Sequence, residues 1–156
     1  MLGVISLDLI SKYLVSSTKI NMVIIPELVK FQYTTNTGSA FSFLGDKAWA
    51  MPMFIVLTFV VLIAIFAYIA VMISKKVKLS KWLLIALSLV VSGAIGNLID
   101  RIMLGYVRDF IFVFYNTNIF TAIFNVADIA LVVGVIMICV YLLFLDKEAV
   151  FRKNIE

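Results

Sequence analysis

From Ala48 to Ile73 the chain runs 26 residues without a charged side chain. A helix needs about 20 apolar residues to cross the hydrocarbon of a bilayer. Inside lipid, a helix is one of the few structures that satisfies its own backbone. This run is therefore read as a membrane helix, with Pro52 in its first turn, where proline is tolerated. Two further runs share its character, at about 82–100 and 125–145, and a shorter one at about 1–15 is interrupted by Asp8 and Lys12. Of the 156 residues 64% are hydrophobic and the mean hydropathy is +1.15, well above the half-apolar composition of soluble domains. The expected fold is an all-α membrane protein of four transmembrane helices, forming a single integral membrane domain over 1–156.

Basic residues in the short connections orient such a bundle. The loop 74–81, SKKVKLSK, holds four lysines, and the tail 146–156 adds Lys147, Arg152 and Lys153. That makes seven basic residues in 19, against five in the 56 residues of the connections 16–47 and 101–124. Loop 74–81 and the tail are thus expected in the cytoplasm, with both termini inside and the two long segments outside. Only seven residues precede Asp8. The first helix is expected either to start inside the membrane or to be preceded by further residues; a cleaved signal peptide is not expected, because no basic residue opens the chain.

The outer segments carry strand signals. In LVKFQYT (28–34) Val29, Phe31 and Tyr33 alternate with Lys30, Gln32 and Thr34, and YVRDFIFVFY (106–115) is rich in β-branched and aromatic residues. Asn36-Thr37-Gly38 reads as a turn. A small extracytoplasmic β-sheet is expected on the membrane surface, with a short outer loop or helix between the third and fourth spans.

The available chemistry is narrow. The chain has no histidine, so a His-based triad and a His-rich metal site are excluded; its single cysteine, Cys139, lies within an apolar run and allows no internal disulfide. Any catalysis must use carboxylates, hydroxyls, lysines and backbone, with no metal and no cofactor. The net charge of +4 gathers in one loop and is no sign of a nucleic-acid partner.

Five of the nine acids (Glu27, Asp46, Asp146, Glu148, Glu156) sit in polar surroundings. Asp8, Asp100, Asp109 and Asp128 do not, and carboxylates at membrane depth need a reason. In FNVAD (124–128) Asn125 suits a helix N-cap and Asp128 its third position, a capping-box arrangement that would also fix the carboxylate. Asp109, in VRDFIF, has no helix start to cap; Arg108 and Arg101 are candidate ion partners, although strand neighbours point to opposite faces. In SGAIGNLIDR, Gly93, Asn97 and Arg101 share a broad helix face with Gly96 and Asp100. Small residues there allow close helix packing, and Asn97 and Arg101 supply donors. Asp8 and Lys12, at i and i+4, are expected mainly as a salt bridge at the headgroup level.

Five segments in order, DLISK (8–12), NTGSAF (36–41), GAIGNLIDR (93–101), GYVRDF (105–110) and FNVAD (124–128), resemble bacterial lipoprotein signal peptidase, or signal peptidase II, over essentially the whole chain. The resemblance implies an aspartyl endopeptidase of the bacterial inner membrane, its site facing outward. Such an enzyme cuts diacylglyceryl-modified prolipoproteins before the lipidated cysteine. By motif position Asp109 and Asp128 are its catalytic pair, with Asp8, Lys12, Asn36, Gly38, Gly96, Asn97, Asp100, Arg101 and Asn125 in support. It also implies a prolipoprotein substrate, contact with membrane lipid, inhibition by globomycin-like compounds and a monomeric enzyme. Two departures stand out. The family's first helix has a longer apolar stretch before its aspartate, so residues upstream of Met1 are expected. Arg108 also stands where the family carries an aliphatic residue, and a cation there would favour ionised Asp109.

Two nearby carboxylates share one proton, so one can activate water while the other protonates the carbonyl oxygen. Phe41, Phe43 and the aromatics of 110–115 are expected to lid an acyl groove. Three other readings fit less well. A small transporter would place its acids within the spans rather than at one boundary. A GxGD-type intramembrane protease needs glycine spacing that GYVR lacks. A Ser–Lys peptidase is disfavoured because Ser11 and Lys12 are adjacent.

Overall fold

The computed structural model describes residues 1–37, 49–77, 79–115 and 121–145. Four helices and a four-stranded sheet follow in the order α1 (Leu2–Thr18), β1 (Asn21–Ile25), β2 (Val29–Asn36), α2 (Ala50–Ser74), α3 (Lys81–Leu104), β3 (Val107–Val113), β4 (Ala122–Phe124) and α4 (Val126–Val140). A π-helical turn, Tyr141–Leu145, prolongs α4.

α3 is the central helix. It starts where the Ser80 side chain accepts the Leu83 N–H at 3.1 Å, an N-cap that satisfies one of the orphan donors of a helix start. It buries twelve residues, including Ser92, Gly93, Gly96, Asn97 and Asp100. It ends at Gly105, whose φ of 75° is the left-handed conformation that glycine adopts without strain. α2 fully buries only Ala50 and Leu62, with Ile55 and Ile65 packed partly against the core; most of its remaining apolar surface is exposed, as a helix bathed in lipid requires. Leu62 meets Val91, Ala94 and Leu98 of α3 in the apolar core, with Leu131 of α4 alongside.

α3 and α4 pack closely because small residues line their contact. A Cβ added at Gly134 would lie 2.7 Å from Val90 Cγ2 and 2.9 Å from the Ala86 carbonyl, and one added at Gly93 would collide with the Ala127 carbonyl. Gly134→Leu is therefore expected to destabilise the α3–α4 pair by at least about 1–3 kcal/mol through overpacking, read as a lower thermal midpoint in detergent.

α2, α3 and the segment Val126–Leu145 are long and apolar enough to cross a membrane. α1, at 17 residues, is shorter than these, so length supports three spans rather than the four expected. It begins alongside the middle of α3, where Ser92 Oγ donates to the Met1 carbonyl at 3.2 Å.

All strands of the sheet are antiparallel, in the order β1-β2-β3-β4. β2 and β3 fall on the two stretches with strand periodicity; β1 and β4 were not anticipated. Among the described residues the connection from α3 to α4 is strand, not helix. β2 pairs Thr34 with Asp109 and Thr35 with Arg108, after a register shift between Phe31 and Thr34. The strand runs through Asn36, and Thr37 follows as a bend. Gly38, Phe41 and Phe43 lie outside the described residues.

Candidate active site

The junction of α1, α3, β3 and α4 holds a cluster of polar side chains that the apolar sequence around them would not by itself bring together. Asp8, Lys12, Asn97, Asp100, Asp109 and Asn125 are all buried, none more than 3% exposed. The expected salt bridge between Asp8 and Lys12 is formed, and the pair is buried in the protein interior. Lys12 Nζ lies 2.8 Å from Asp8 Oδ2 and donates to Asn97 Oδ1 at 2.9 Å. Asp8 Oδ1 accepts the backbone N–H of Ala127 at 2.9 Å, so α1 supplies a carboxylate to the N-terminus of α4, where the helix dipole favours negative charge.

Asp128 occupies the same helix start. The capping box anticipated from FNVAD is formed: the Asn125 side chain accepts the Asp128 N–H and Asp128 Oδ2 accepts the Asn125 N–H, both at 3.0 Å. The other oxygen, Oδ1, accepts from Asn97 Nδ2 at 2.7 Å. Two bonds from different helices therefore fix this carboxylate.

Asp109 is held from two sides. Asn125 Nδ2 donates to its Oδ1 at 2.6 Å and Asn36 Nδ2 to its Oδ2 at 2.8 Å. Asn125 is fully buried and touches both acids: its amide nitrogen holds Asp109 while its amide oxygen and backbone hold Asp128. The same amide nitrogen reaches Asn97 Oδ1 at 3.1 Å. Side chains from β2, β3, α3 and α4 thus converge on one pair of carboxylates.

Neither sequence candidate for the partner of Asp109 is its ion pair. Arg108, on the opposite strand face, turns to Asp100 with Nη2 2.6 Å from Oδ1. Arg101 lies within electrostatic reach of Asp128, Asp109 and Asp100. Its guanidinium carbon stacks 5.3 Å from the centre of the Phe54 ring, and its buried Nε has no hydrogen-bond partner among the described residues. Gly96 explains its own identity: an added Cβ would sit 2.6 Å from Asp8 Oδ2 and 3.2 Å from Ala127 Cβ. Gly96→Ala should displace Asp8 and lower any activity of this site about tenfold or more, since small misplacements near a reacting centre carry large rate costs; steady-state turnover checks this.

A family model for signal peptidase (SPase) II matches residues 1–144. The chain belongs to the signal peptidase II family. Lipoprotein signal peptidase from Pseudomonas syringae pv. tomato is 39% identical over 139 residues, covering 86% of this chain and 78% of the relative. That from Streptococcus agalactiae serotype III is 39% identical over 141 residues, covering 88% and 85%. A solved bacterial membrane enzyme structure superposes with a TM-score of 0.74 at 32% identity, covering 92% of this chain and 89% of its own. The chain is accordingly an aspartic endopeptidase and a bacterial membrane protein with membrane-spanning helices.

Burial pushes the Asp109 carboxyl up to about 6; the nearby Asp128 charge adds to the rise, while the Asn36 and Asn125 donors and the Lys12 charge oppose it. An unfolded aspartate titrates near 4. Between about pH 4 and 6 the folded chain therefore keeps a proton on Asp109 that the unfolded chain has lost. The stability contribution of Asp109 falls as pH rises through that window, by roughly 3 kcal/mol in all. Melting in detergent at pH 4.5 and 7.5 checks the sign: the loss of midpoint on raising pH should be smaller in Asp109→Asn than in the parent.

Sequence reasoning missed the Asp100–Arg108 pair, the Asp8 contact to α4 and the bridging role of Asn125. The first two depend on tertiary contacts. The third had a local signal, because an N-cap asparagine keeps its amide nitrogen free to donate elsewhere.

Proposed function

We propose that this chain removes signal peptides from diacylglyceryl-modified prolipoproteins, cutting before the lipidated cysteine, with Asp109 and Asp128 as the catalytic pair. The observation that carries this reading is Asn125 bonded to both carboxylates, its side-chain Nδ2 donating to Asp109 Oδ1 and its backbone N–H to Asp128 Oδ2. Two acids so coupled hold one proton between them and titrate as a unit. The ionised member takes a proton from a water molecule as it attacks the scissile carbonyl. The protonated member donates to the carbonyl oxygen, and the proton taken from water passes to the leaving amine. Asn97 and Arg101 orient the carboxylates and the peptide backbone.

The scissile bond adjoins a lipid-bearing residue, so the site belongs at a membrane boundary. The lysines of loop 74–81 put that end of α2 and α3 in the cytoplasm. On this orientation the opposite end, with the sheet and both aspartates, faces outward from the bacterial inner membrane, both termini lie inside, and α1 acts as a short fourth membrane segment. Contact with membrane lipid, binding of globomycin-like inhibitors and a monomeric state belong to the same proposal.

The test uses purified protein in detergent and a precursor peptide with or without diacylglycerol on its cysteine. Cleavage immediately before the cysteine, at least about tenfold faster for the lipidated form, is the expected result. Equal cleavage of both forms would remove lipid recognition from the proposal, and cleavage of neither would overturn it.

A further inference from the structure

Arg108 is a cation of this cluster, among the described residues, that the reaction above does not use. Its contacts are specific. The Nε lies 3.2 Å from both oxygens of Asp100, Nη2 is 2.6 Å from Oδ1, and the backbone N–H donates to Oδ2 at 3.0 Å. Asp100 is 1% exposed, so a partner is required for it to remain ionised. A second cation stands close by: Lys12 Nζ lies 3.6 Å from Asp100 Oδ2.

Lys12 is therefore contested between two buried carboxylates, Asp8 and Asp100, and the Asn97 carbonyl oxygen. The last contact matters most for the aspartate pair. Asn97 can turn its amide nitrogen to Asp128 only while its oxygen faces donors, and those donors are Lys12 and Asn125. Arg108 saturates Asp100 and leaves Lys12 free to stay on Asn97.

We propose that Arg108 is a positioning residue for peptide cleavage: by neutralising Asp100 it keeps Lys12 on Asn97, and so keeps the aspartate pair in register and its site electrically balanced. The proposal rests on the assignment of Asp109 and Asp128 made above.

The balance follows from the groups that face the pair among the described residues. α1 contributes Asp8 and Lys12, α3 contributes Asp100 and Arg101, β3 contributes Arg108 and Asp109, and α4 contributes Asp128. From β2 comes Tyr33, neutral and near Arg108. Four carboxylates against three cations cancel when the pair carries one proton, the form that the reaction needs. Removing Arg108 leaves one negative charge too many and pulls Lys12 toward Asp100, so the pair holds its protons to higher pH. Removing Asp100 instead leaves one positive charge too many and acts in the opposite sense.

The experiment is the pH dependence of kcat/KM on a diacylglyceryl precursor for the parent, Arg108→Met, Arg108→Lys, Asp100→Asn and the double variant. Arg108→Met should move both limbs upward by about half to one pH unit, in keeping with one buried charge at an effective dielectric near 20. It should lower kcat more than it alters KM. Arg108→Lys should keep most of the parent profile, Asp100→Asn should move the limbs downward, and the double variant should return them to the parent position whatever its absolute rate. Unmoved limbs in Arg108→Met, or a shift that the double variant does not reverse, would overturn the proposal. Should Arg108→Met not fold, a downward shift in Asp100→Asn supports the proposal and an unmoved or raised profile overturns it. Retained cleavage by Asp109→Asn would instead reject the aspartate assignment itself, a separate result.

Discussion

Asp109→Asn and Asp128→Asn should each lower cleavage of a diacylglyceryl precursor by about a thousandfold, within the range that a positioned acid or base contributes. Asparagine keeps the size of the side chain but can neither take a proton from water nor give one to the amine. At both sites the oxygens accept from two donors: Asn36 and Asn125 at Asp109, Asn97 and the Asn125 N–H at Asp128. The new amide nitrogen must turn toward one of these donors, which costs about 1–3 kcal/mol for the group left unpaired. Size-exclusion profile and thermal midpoint in detergent should show both variants folded. Near-parental turnover in either one eliminates the two-aspartate mechanism.

Lys12→Met should be among the most destabilising single changes in the chain, at about 3–5 kcal/mol. Removing one member of a buried ion pair strands the other charge in the interior, and Lys12 and Asp8 are both fully buried. Asn97 Oδ1 would also lose a donor. Asp8→Asn combined with Lys12→Met should cost less than the sum of the two single changes, because no uncompensated charge then remains. Unfolding in detergent gives the coupling; additive losses would show that the two groups do not act as a pair.

Much of the helical frame is visible in the residues, because a charge-free run depends only on its own composition. The capping box at Asn125 and Asp128 is equally local, with partners three residues apart. The interior position of Lys12 is not legible in this way: it rests on Asn97, 85 residues away, and an i, i+4 pair looks the same at a headgroup or in a core. Strand alternation correctly separates Arg108 from Asp109 but does not supply Asp100. That contact needs the chain to turn back at Gly105, where a left-handed residue closes α3. β1, NMVII, shows no polar alternation because all five residues are exposed, and β4 has only three residues. The motif resemblance marks the residues that converge, while their order of contact comes only from the packed chain.

Asn125 also bears on how the enzyme assembles. It ties together acids delivered by a strand and by a helix, held in turn by groups from the first and third helices, so the first contributor to the cluster is residue 8 and the last residue 128. With Asp109 and Asp128 as the proposed pair, a nascent chain emerging into the bilayer possesses no competent hydrolytic pair until its final helix is seated. On that assignment proteolytic power appears only at completion of assembly, which spares neighbouring membrane proteins from a half-inserted protease.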